Sequence, residues 1–131
     1  MTRPRAQRNQ PEAAIEAIER ARRLSPFDPY TFLYAANIAI AHLAARRFEL
    51  AIEWADRTLH DQPRMVAAMR LKVAALAHLG HLNEARVELS RVLAIDPKLT
   101  IAGYREYAHF AAPEVLELYV DGLRLAGLPE R

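Results

Sequence analysis

Cysteine is absent from the 131-residue chain. That removes disulfides, thiolate catalysis and cysteine-ligated zinc together, and it fits a reducing compartment. Glycine is scarce, at four residues, and none forms a glycine-rich loop that could cradle a phosphate. No apolar run approaches the ~18 residues of a membrane span. The charged N-terminus has no apolar stretch behind it before Pro11, so no secretory leader is read. A cytoplasmic location is the resulting expectation. Ser-His-Asp and His-Glu-x-x-His arrangements are missing too, and the chain is expected not to be an enzyme.

Alanine and leucine are what the chain has instead, 42 residues of 131. Both lose little on entering a helix. Hydrophobic residues at 52% and charged residues at 26% describe a globular chain of one domain. The net charge is +2, with Arg3, Arg5 and Arg8 and no acid among the first ten residues. The body is therefore nearly neutral. Residues 1–10 read as a basic, flexible segment, and nucleic acid is not expected as a partner.

One pattern occurs three times: a small residue, then steps of four, three and five to a proline. The copies are Ala14, Ile18, Ala21, Pro26; Ala51, Ala55, Thr58, Pro63; and Ala85, Leu89, Val92, Pro97. Steps of four and three share one helix face. The small residue lets a neighbouring helix approach, and the proline stops the helix. Upstream of Ala85, apolar residues at 66, 69, 73, 76 and 79 predict a helix that ends at Gly80. Upstream of Ala51, residues 30–45 read the same way, with Arg46 in place of the glycine and Phe48 in place of Leu82. The expected layout is a helix at 11–24, pairs at 29–45 with 48–61 and 64–79 with 82–95, a short helix within 98–110, and a last helix opened by Pro113.

This organisation resembles the tetratricopeptide repeat (TPR) family, whose unit is a helix-turn-helix of 34 residues. Gly80, Leu82, Ala85, Leu89 and Pro97 fall at the family's spacing. The resemblance implies an all-α solenoid of antiparallel helix pairs with a C-terminal capping helix. Its divisions would be a half repeat at 11–28, repeats at 29–65 and 66–99, and a capping region at 100–131. The structural repeat positions are Ala14, Pro26, Ala51, Pro63, Gly80, Ala85 and Pro97. A half repeat leaves Ile15, Ile18 and Leu24 without a covering helix, which predicts self-association at that end.

Leu24–Pro29, Ala39–His42 with Arg47–Glu49, and Asp121–Glu130 are also similar to the C-terminal TPR region of bacterial class III adenylate/guanylate cyclases and related TPR regulators. That resemblance implies a regulatory or scaffolding role beside a catalytic or DNA-binding domain.

The concave groove of TPR domains is lined by first helices. The groove positions expected here include Leu33, Asn37, Ile40, Arg70, Ala74 and His78. With only Asn37 and Arg70 polar enough to hold a peptide carboxylate, the groove suits an amphipathic helix, or is closed by the chain's own C-terminal helix. His78 and His81 lie three apart, but with Glu84 as the sole neighbour they make no metal site. No metal or cofactor is expected. Trp54, on a second helix, is expected to be partly buried. The function read from the sequence is a non-catalytic protein–protein interaction or scaffold module that binds a protein or peptide. The alternative is the C-terminal fragment of a multidomain cyclase-like signalling enzyme, with no activity of its own.

Overall fold

The structure is a computed structural model. It describes residues 31–109 and 111–131, and positions 12–13, 16–17, 19–21 and 23–24. The side chains of residues 31–33 are not among those described. Residues 1–10, and with them Ala14, Ile15, Ile18 and Pro26, lie outside the described residues.

The described residues form an all-α, TPR-like solenoid of antiparallel helix pairs. Helices α1 (Thr31–Ala44) and α2 (Phe48–Asp61) make one pair, and α3 (Val66–His78) and α4 (Leu82–Ile95) the next. A short α5 (Ile101–Tyr107) and a final α6 (Pro113–Ala126) follow. The described positions from 12 to 24 are also helical.

The punctuation repeats as closely as the helices do. α1 and α3 both stop through a residue in the left-handed region, Arg46 at φ 61° and Gly80 at φ 84°. In each, the next amide reaches back five residues: Arg47 N–H donates to His42 O at 2.8 Å, His81 N–H to Leu76 O at 3.0 Å. Gly127 ends α6 the same way, with Leu128 N–H donating to Leu123 O at 3.1 Å. The second helices end before prolines instead. Gln62 and Asp96 take nearly the same backbone angles, φ −132°, ψ 80° and φ −128°, ψ 76°, because a residue before proline is excluded from the helical region.

Each of α1 to α4 packs on its neighbour in sequence. Ala51 and Ala85, the small repeat positions, are fully buried. Pro63 and Pro97 are exposed in the turns. α3 is apolar on most of its circumference, with Ala68, Met69, Leu71, Val73, Ala74, Ala75, Leu76 and Ala77 all buried. A helix of that kind must be enclosed. α2 and α4 cover two sides of it. The third side is covered by α6, which lies mainly on α3 and touches α4, α5 and α1 less. Pro113 opens α6, as the sequence predicts, and Glu114 lies in its first turn, by the positive end of the helix. The capping helix thus covers the inner face of α3.

Lys72 of α3 joins three helices by charge. It lies 2.8 Å from Asp56 of α2 and 3.5 Å from the buried Glu88 of α4, which also meets Arg91 at 3.6 Å. Burial works against a charged Lys72, but the two carboxylates outweigh it and hold its pKa above the ordinary value. Trp54 is buried, with the Arg57 guanidinium 4.1 Å from its ring centroid.

Candidate functional site

The groove positions read from the sequence divide between α1 and α3, and the two helices meet different fates. Arg70, Ala74 and His78 lie one turn apart along α3, and α6 is against all three. Gly122 of α6 sits on Ala74, where a side chain would collide with the backbone. One turn earlier on α6, Leu118 O lies 2.6 Å from His78 Nε2. The His78 ring is stacked on Phe48 at 4.8 Å between centroids. A hydrogen bond on one side and a stacked ring on the other give His78 a packing role. His81 is exposed. Among the described residues, no three His, Cys, Asp or Glu side chains come together as a metal-ligand set.

Arg70 meets a cluster of tyrosines that the sequence reading passed over. Its guanidinium carbon is 5.2 Å from the Tyr104 ring centroid and 5.8 Å from that of Tyr107. Tyr104 stacks on Tyr119 of α6, with 4.9 Å between centroids and 16° between planes. Burial pushes the Tyr119 hydroxyl far above its ordinary pKa and raises Tyr104 as well. Both stay neutral. The signal available in the sequence was the spacing of Tyr104 and Tyr107, three apart on one face of a helix.

On α1 the groove positions are open. Asn37 is exposed, and Ile40 is 45% exposed although it is a large aliphatic residue. The side chain of Leu33 lies outside the described residues. The neighbouring inward positions, Ile38, Ala39 and Leu43, are buried against the rest of the stack. Where α1 turns into α2, the buried His42 accepts a hydrogen bond at Nδ1 from Arg47 Nε at 3.0 Å. Arg47 also pairs with Glu12. Burial first, and the Arg47 charge second, lower the His42 pKa.

α5 and the chain end fasten α6 in place. Ile101 N–H donates to Pro129 O and Ala102 N–H to Glu130 O, both at 2.9 Å. Gly103 N–H is capped by Thr100 Oγ1 at 3.1 Å. Arg105 pairs with Glu117, and Arg124 with Asp121 and Glu130. Among the described residues, no helix is long and apolar enough to cross a membrane.

No family model matches the chain, and no solved structure matches it. Curated relatives do. A human protein named FK506-binding protein-like is 37% identical over 93 residues, which is 67% of this chain and 27% of that protein. The rat protein of the same name is 34% identical over 93 residues, with the same shares. The mouse BBSome complex member BBS4 is 30% identical over 84 residues, 64% of this chain and 16% of that protein. The chain spans about a quarter of the length of the FK506-binding protein-like relatives it matches. None of the three is named as a nucleotide cyclase.

Proposed function

We propose that the chain is a non-catalytic protein–protein interaction module of TPR type, with a scaffolding or regulatory role. The observation that carries this is the α1 face. Ile40 keeps 45% of its surface in water and Asn37 is exposed next to it on the helix, while the corresponding stretch of α3 is filled by the chain's own helix. An amphipathic partner helix laid beside α6 would meet an aliphatic contact with a polar edge. The similarity to a named complex member also supports a role in assembly.

Ile40→Glu tests the reading. It is expected to abolish partner capture and leave far-UV circular dichroism unchanged, since the position is exposed. Capture that survives the substitution would remove the α1 face as the site. Ala74 is unsuitable for this test, because α6 covers it.

The finer parts of the reading rest on the sequence. Self-association through the half repeat predicts a concentration-dependent mass by light scattering. The cyclase-type resemblance of Leu24–Pro29, Ala39–His42 with Arg47–Glu49, and Asp121–Glu130 supports a second reading, in which these repeats are the tail of a larger signalling protein acting in the cytoplasm. An immunoblot of source cells separates the two. A band near 14.8 kDa means a module that acts alone, and a band several times larger means a tail.

A further inference from the structure

α3 carries two long cations, and their surroundings differ. Lys72 has carboxylates of Asp56 and Glu88 beside it. Arg70 takes part in none of the ion pairs among the described residues, and its Nε–H is shut from solvent with no acceptor. Aromatic rings flank its guanidinium instead. A partly desolvated cation without a counter-ion is costly, and an external anion relieves it. Burial raises the Tyr104 hydroxyl, so that ring supplies no counter-charge.

A cavity of about 390 Å³ opens over this group, between α3, the turn after α4, and α5. Lys98 is exposed on its rim, and Asp96 is its one acid. The nearby backbone amides of Ile101, Ala102 and Gly103 already have acceptors. Those three amides are not free to hold an anion, and the cationic side chains are the donors the cavity offers. Tyr107 is 67% exposed, a large aromatic surface facing water beside two cations.

We propose that this cavity binds an aromatic oxyanion, a phosphate or carboxylate carried on a flat ring. Arg70 and Lys98 take the oxyanion, in the charge-assisted geometry that guanidinium groups favour. Tyr107 takes the ring by stacking. The ligand is either a phosphotyrosine side chain of a partner or a free small molecule of the same chemistry. Ile40 has no part in this site, so it stands apart from the α1 reading.

Amide NMR of the full chain tests the proposal, with phenyl phosphate as probe. Saturable shifts are expected at Thr100, Gly103, Tyr104 and Tyr107. Inorganic phosphate is expected to bind at least about fivefold more weakly, as are Lys98→Ala and Tyr107→Ala to phenyl phosphate. Both substitutions are at exposed positions, and unchanged circular dichroism checks their fold. Arg70→Gln is expected to abolish the shifts. A phosphotyrosyl peptide that binds more tightly than phenyl phosphate identifies a partner chain as the source, and weaker peptide binding identifies a free molecule. Absence of saturable shifts at millimolar phenyl phosphate overturns the proposal. So does equal binding of inorganic phosphate, or binding that Lys98→Ala and Tyr107→Ala leave unchanged.

Discussion

Gly122 of α6 rests directly on the backbone of Ala74 of α3: a Cβ built at 122 would lie 2.7 Å from the Ala74 Cα and from its carbonyl oxygen. A glycine inside a helix costs about 0.5–1 kcal/mol against alanine. The close approach accounts for its presence. Gly122→Ala therefore pushes α6 off α3 and is expected to destabilise the fold by about 1–3 kcal/mol, read from the urea midpoint. A stabilised variant would show that helix propensity, and not packing, decides at this position.

His42 makes stability depend on pH. Its folded pKa lies below the ordinary 6.5, because of burial first and Arg47 second, with Glu12, Glu19 and Glu53 only partly offsetting them. As pH falls, the unfolded chain takes up this proton before the folded one does. The contribution is thus complete above pH 6.5, where neither state carries the proton, and is lost as pH falls from there through the lowered folded value. Protonation would also remove the acceptor for Arg47. Urea midpoints measured from pH 8 to 5 should fall more for the natural chain than for His42→Gln. Parallel curves would exclude His42 as the source.

The Lys72 network predicts a non-additive pair. Lys72→Met leaves Glu88, 5% exposed, with the more exposed Arg91 as its ion-pair partner among the described residues. A loss of about 1–3 kcal/mol is expected, below the range for fully buried pairs because Lys72 keeps some contact with water. Lys72→Met with Glu88→Leu should recover most of it, since the stranded charge is gone. A double-mutant cycle by urea denaturation measures this.

Arg46 and Gly80 occupy the same stop in successive repeats, and both have positive φ. Gly80→Ala is expected to cost about 1 kcal/mol through left-handed strain alone, as no atom lies within 4 Å of the added methyl. Arg46→Gly should stabilise by a few tenths up to about 1 kcal/mol, the relief of strain being partly offset by a looser unfolded chain. Thermal melts of the two variants should shift in opposite directions.

The helix pairs were legible because their signals are local. The spacing from Ala51 to Pro63 and from Ala85 to Pro97 carries both the buried face and the stop, and Arg46 was legible as a substitute for Gly80. Pro113 marked the last helix for the same reason. The seat of that helix was harder to read. Its apolar face fits any apolar partner, and the sequence left open whether it would close the groove or leave it free. The decisive contacts, Gly122 on Ala74 and Leu118 O on His78, join residues 48 and 40 positions apart with no local trace. The tyrosine cluster was missed likewise: Arg70, Tyr104 and Tyr119 lie on three separate helices and meet only after α6 has docked.

The placement of α6 also bears on how the chain unfolds. In a stack where each helix meets only its neighbours, ends fray independently and unfolding spreads one unit at a time. α6 skips back past α4 and α5 to α3, and the last residues return to the amides that open α5. The half of the chain from α3 onward is closed on itself like a loop. Closing it is expected to be the slow, non-local step in folding, since the long loop must be restricted before its contacts form. Once it is closed, amide exchange in α3, α5 and α6 should share one opening energy, and the cooperative unit runs from the second repeat to the chain end.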